Sequence, residues 1–190
     1  MLLTLAVAIA YASTNFDNLA LMLALAPSVG IRKVVTAFAT TQGLVIVAAI
    51  AVGTAADSLP ADWLGFFGLV PMAIGVFELW KMWRRRTHES GEAAAPRPGN
   101  LTALMFTFAG LSMDSFALTA AFLADSASQF DLAVVVGAVL ALAAISLAGI
   151  SAARVAAKAQ ALVQRLNRIT PFIMIASGLY ILLPTLTDVV

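Results

Sequence analysis

The stretch Asp17-Asn18-Leu19-Ala20-Leu21 returns 97 residues later as Asp114-Ser115-Phe116-Ala117-Leu118, each copy in the middle of an apolar run. Aspartate is the residue type least expected at mid-depth of such a run, because a charge at the centre of a bilayer-spanning helix costs about 2.5–3.5 kcal/mol on insertion scales. Its recurrence points to a duplicated unit. A looser echo, Leu69-Val70-Pro71 against Ile169-Thr170-Pro171, sits toward the ends of the two halves.

Working outward, apolar runs of about 20 residues, long enough for a hydrocarbon core, fall near 2–26, 34–56, 62–83, 101–124, 131–153 and 169–187. The first is read as a retained helix rather than a signal peptide, since no basic segment precedes it and Ser13 to Asn18 interrupt its apolar stretch. With 62% hydrophobic and 11% charged residues and a mean hydropathy of +0.97, an all-α integral membrane protein is expected, and a soluble enzyme is excluded for want of polar surface. Cysteine is absent, which removes disulfides, thiolate metal sites and CxxC redox chemistry. No nucleotide-binding loop is present and no nucleic-acid partner is expected. The chain is not read as an enzyme.

The charge pattern supplies orientation. All 11 basic residues lie in or beside three loops: Arg32 and Lys33; Lys81, Arg84, Arg85, Arg86 and Arg97; Arg154, Lys158, Arg165 and Arg168. The other two loops carry Asp57, Asp62, Asp125 and Asp131. Cytoplasmic loops collect Lys and Arg, so those three loops are expected inside and both termini outside. The low-hydrophobicity segment 84–100 reads as a linker between a first three-helix repeat, 1–83, and a second, 101–190. Three helices per repeat make the repeats inverted, a transporter plan in which substrate binds near mid-membrane between the halves. Ala152 to Arg168 reads as an amphipathic helix laid on lipid headgroups through Val155, Leu162, Val163 and Leu166.

Within this frame Asp17 and Asp114 are the candidate cation ligands, with Asn15, Asn18, Ser112 and Ser115 as supporting oxygen donors. No basic residue is expected at their depth. Such hard donors suit Mg²⁺, Mn²⁺, Ca²⁺ or a partly hydrated transition metal, and two carboxylates neutralise a divalent ion. An empty buried carboxyl holds a proton that an arriving cation displaces, hence proton antiport. The competing reading makes the aspartates protonated packing contacts between helices. Thr14, Thr41, Gln42 and Glu78 are candidate pathway residues. Thr40-Thr41-Gln42-Gly43 is expected to interrupt the second span, Glu78 to pair with Lys81 or the nearby arginines, and Ser146, Gly149 and Ser151 to mark close helix contacts. Trp63, Trp80 and Trp83 form an aromatic belt at the ends of the third span, and His88 lies in the linker.

Ala12-Ser13-Thr14-Asn15-Phe16-Asp17-Asn18-Leu19 resembles the ATN-φ-D-(D/N)-L opening of the bacterial cadmium-resistance transporter family of the lysine-exporter superfamily. Gly68 to Gly75 is similar to that family's third helix, and Arg168 to Leu182 to its last. Ser112-Met113-Asp114-Ser115 departs from the family and resembles the related manganese-exporter type. The resemblance implies a six-helix exporter in a bacterial inner membrane, with no permanent cofactor and with a divalent cation (cadmium, manganese or zinc) as substrate and protons as counter-ion. It carries Asn15, Asp17 and Asn18 to the site. Export of an amino acid or other small organic solute, or a non-transporting membrane scaffold, are the alternatives. A homodimer is left open.

Overall fold

The computed structural model describes residues 1–56, 65–85, 100–153 and 156–183, and its elements are helical. The helices are α1 Leu2–Thr14, α2 Phe16–Val29, α3 Ile31–Ala55, α4 Leu69–Arg85, α5 Leu101–Leu111, α6 Met113–Asp125, α7 Asp131–Ala152, α8 Ala156–Asn167 and α9 Thr170–Leu182. Short 3-10 turns, Gly65–Gly68 and Ser128–Phe130, lead into α4 and α7.

Among the described residues three stretches are long and apolar enough to cross a bilayer unaided, Ile31–Ala55, Phe66–Arg84 and Ser128–Ala152. The pair α5 and α6, bent by 57° at Ser112, makes a fourth if taken as one broken span. The expected first span is likewise two shorter apolar helices, α1 and α2, parted at Asn15. The last helix, of 13 residues, reaches about 20 Å at 1.5 Å per residue, short of a hydrocarbon core of about 30 Å; residues 184–190 lie outside the described part, as do Trp63, His88 and Val155.

Both interruptions carry side chains that bond back to the preceding turn, as hydroxyls also do within the continuous helices at Thr54, Thr107 and Thr119. At the end of α1, Ser13 Oγ donates to the Ala10 carbonyl (2.7 Å), and Thr14 Oγ1 and Asn15 Nδ2 both donate to that of Tyr11 (2.9 and 2.8 Å). Side chains that bond back to helical carbonyls compete with helix propagation and bend it. Ser112 Oγ does the same to the Phe108 carbonyl at 2.6 Å. The backbone angles are nearly identical at the two breaks, φ −103° and ψ 10° at Asn15 and φ −105° and ψ 10° at Ser112, and the breaks stand 112 − 15 = 97 residues apart, the spacing of the two aspartates.

The two broken pairs pack in an exchanged manner, α1 against α7 and α5 against α3, while α4 lies along α9. The α4–α9 approach is close because two glycines meet. A Cβ on Gly178 would sit 2.5 Å from the Gly68 carbonyl oxygen and 2.8 Å from the Met72 nitrogen. One buried cluster gathers Leu3, Val7 and Tyr11 with Leu118, Phe122, Val134 and Ile181. A second gathers Leu19, Met22 and Leu23 with Phe38, Leu104 and Phe108. Asn15 and Ser112 fall between them in sequence, so a polar layer separates two apolar cores.

Several expectations change here. Helix α3 runs unbroken through Thr40-Thr41-Gln42-Gly43, where the Thr41 and Gln42 side chains bond outward to other helices. Pro27 lies inside α2, and Gly30, at φ 91°, ends it. Arg32 and Lys33 are therefore in the first turn of α3. The amphipathic helix is present as α8, with Leu162 58% exposed, but Val163 is buried in the second core rather than turned to lipid. Gly149 does mark a close contact, with Met22 Cε 3.2 Å from an added Cβ, and Trp80 and Trp83 are exposed near the end of α4.

Candidate functional site

Each break exposes the N-terminus of a half-helix, whose first N–H groups have no partner within the helix. An acidic side chain in the first turn fits that position twice over, by accepting a free N–H and by complementing the helix dipole, an effect worth about 0.3–1 kcal/mol. Asp17 Oδ1 accepts from Asn18 N and Asp114 Oδ1 from Ser115 N, both at 2.7 Å. The two aspartates are thus held by the same device at corresponding places.

Both are half-buried and line one polar cavity of about 590 Å³ with Thr14 and Glu78. The remaining wall brings in Lys81 and Met82 from α4, Leu111, and Asn167, Arg168 and Thr170 around the start of α9. The expectation of no cation near the aspartates is therefore corrected. Lys81 and Arg168 share the cavity, because long basic side chains reach from a helix end along apolar surface and the breaks set the aspartates on the wall of the same cavity. Glu78 and Lys81 form the expected pair at 4.0 Å, with their side chains 41% and 47% exposed, which as a surface pair contributes about 0–1 kcal/mol.

Behind the cavity lies a buried hydrogen-bond network. Tyr11 Oη donates to Gln42 Oε1 (2.8 Å), and Gln42 Nε2 donates to Asn15 Oδ1 (2.5 Å) and Ser112 Oγ (2.8 Å). Asn15 Nδ2 reaches Ser115 Oγ at 3.0 Å, Asn18 Nδ2 donates to Asn15 Oδ1 at 3.0 Å, and the Thr14 and Ser115 hydroxyls are 2.8 Å apart. Thr170 Oγ1 donates to the Ser13 carbonyl at 2.8 Å and ties α9 to the first break. Among the described residues the buried oxygens Asn18 Oδ1 and Ser146 Oγ find no hydrogen-bond partner.

Of the sequence-derived site residues, Asp17, Asp114, Thr14 and Glu78 meet in the cavity. Asn15, Asn18, Ser112 and Ser115 do not line it; they join the two breaks from behind. Gln42 belongs to that network. Thr41 donates to the Met105 carbonyl at 3.4 Å and lines a separate apolar groove of about 520 Å³ between α3 and the α5–α6 pair. Among the described residues no three His, Cys, Asp or Glu side chains converge tightly enough to hold a metal ion. Sequence reading missed Tyr11, Lys81, Arg168 and Thr170 as members of the site. Tyr11 is one helical turn before Asn15, and Lys81 one turn after Glu78, so helical spacing held the available signal.

Compared with models of protein families, with characterised proteins and with solved structures, the chain matches none of them.

Proposed function

We propose that the protein exports divalent metal cations of the cadmium, manganese and zinc class across the membrane in exchange for protons. The observation that carries this reading is that Asp17 and Asp114, each in the first turn after a helix break, line one cavity. Half-helices meeting at ion-binding breaks near mid-membrane are a recurrent transporter device. A cargo ion has to be released, so a site of two carboxylates with Thr14 and Glu78 nearby, completed by the ion's own water, suits transport better than a closed cage. Proton exchange follows from the same groups, because each carboxylate binds either a proton or the metal. The inverted arrangement of 1–83 and 101–190, with six spans and both termini outside, belongs to this proposal. It draws support from the matched breaks and the exchanged packing of α1 and α5.

The test is flux in proteoliposomes carrying a metal-sensitive and a pH-sensitive dye. Metal entry coupled to opposite proton movement in wild type, and lost in Asp17→Asn, is expected; no flux with Cd²⁺, Mn²⁺ or Zn²⁺ refutes the reading. A second reading is favoured by one observation. Lys81 and Arg168 give the acidic cavity cations of its own, and a mixed-charge cavity of this volume also matches a zwitterion such as an amino acid. Amino-acid flux without metal flux would select it.

A further inference from the structure

Gln42 bonds to both break residues at once. Its side chain is fully buried at mid-length of the continuous helix α3. A primary amide has two N–H groups and one carbonyl to satisfy, and here Nε2 serves Asn15 and Ser112 while Oε1 takes the Tyr11 hydroxyl. Packing glue needs one partner. A fork onto the hinge residues of two different broken helices instead fixes the position of one hinge relative to the other.

The surroundings fit that role. The cavity reaches from the aspartates to Lys81 on α4 and the Asn167–Arg168 turn before α9. Tyr11, Asn15, Gln42 and Ser112 close it from behind and are all almost completely inaccessible. If the two halves move past one another, Asn15 and Ser112 cannot both remain within reach of one amide. One bond must break and leave a buried donor unpaired, an outcome that is costly unless the opening also admits water. The direct contacts between the breaks, Thr14 to Ser115 and Asn15 to Ser115, would part in the same movement.

We infer that Gln42 is the latch of the closed side: it joins the two helix breaks in the present arrangement, holds Asp17 and Asp114 on one wall, and releases one break when the cavity changes face. This rests on the transport reading for the movement itself. Gln42 is a positioning residue, since it acts on the site through Asn15 and Ser112.

The experiment uses the absence of cysteine, which lets one introduced thiol report alone. Leu111→Cys places it on the cavity wall, and a membrane-impermeant maleimide is applied to each face of vesicles. With Gln42 intact, labelling should favour the face of the basic loops. Gln42→Met, which keeps the length of the side chain but removes its donors and acceptor, should reduce that preference about tenfold, the equivalent of roughly one net hydrogen bond. Tyr11→Phe, which removes only the bond to Oε1, should shift it in the same direction by less. An unchanged face ratio in folded Gln42→Met overturns the inference. If that variant does not reach the membrane folded, Tyr11→Phe decides, and an unchanged ratio there overturns it equally. Failure of the transport reading shows separately, as an intact Gln42 protein whose ratio responds to neither metal nor amino acid.

Discussion

Asp114→Asn removes one charge from the cavity and little else. Asparagine keeps an oxygen for the Ser115 N–H that the carboxylate now accepts at 2.7 Å, so the half-helix start is preserved. A charged contact to a hydrated ion is worth about 1.5–3 kcal/mol, equivalent to a loss of roughly 10- to 140-fold in affinity. At a metal concentration 100 times the wild-type Kd, ligand stabilisation is about 2.7 kcal/mol. With the weakened Kd the same concentration stabilises the variant by only about 0.3–1.4 kcal/mol. For a chain of this length 1 kcal/mol moves the melting temperature by about 2–4 °C. A thermal-shift titration of detergent-purified protein should thus give about 5–11 °C for wild type and between about 1 and 6 °C for the variant. Without metal the variant should melt close to wild type, because asparagine keeps the oxygen that accepts the Ser115 N–H. Equal metal-induced shifts in wild type, Asp17→Asn and Asp114→Asn would refute the cation site. A lower metal-free melting temperature with no metal response in any of the three would return the aspartates to a packing role.

Lys81→Met separates the two substrate readings. It removes a half-exposed competing cation, so metal affinity should rise by up to about fivefold, the worth of about 1 kcal/mol of screened attraction, whereas zwitterion binding should weaken; calorimetric titration with Mn²⁺ and with amino acids checks both. Gly178→Ala should destabilise the bundle by about 1–3 kcal/mol through overpacking against the Gly68 carbonyl 2.5 Å from the new Cβ, seen as a lower melting temperature. Gly43→Ala, with nothing within 4 Å of its Cβ, should instead be neutral or stabilise by about 0.5–1 kcal/mol, the usual gain inside a helix, in the same measurement. Thr170→Val should cost about 1 kcal/mol by deleting the bond to the Ser13 carbonyl, and its melting temperature should fall accordingly.

What the chain determines by itself is what depends on neighbours along it. Hydropathy needs only composition, so an all-helical, membrane-type chain was legible, and the paired aspartates needed only counting. Helix ends written in glycine were legible too, as at Gly30. The fate of the polar residues within apolar runs was not, because a hydroxyl or amide can bond back to its own helix or outward to another, and sequence does not say which. Asn15 and Ser112 turn back at the two breaks, whereas Thr41 and Gln42 find partners on α1 and the α5–α6 pair within a continuous α3. The site divided for the same reason. Tertiary packing took Asn15, Asn18, Ser112 and Ser115 into the seam that joins the breaks, left Asp17 and Asp114 on the cavity wall, and brought Lys81 and Arg168 to them. Which oxygens line the cavity and which hold the helices together depends on side chains about 100 residues apart lying within hydrogen-bond distance, a relation that exists only once the chain has folded.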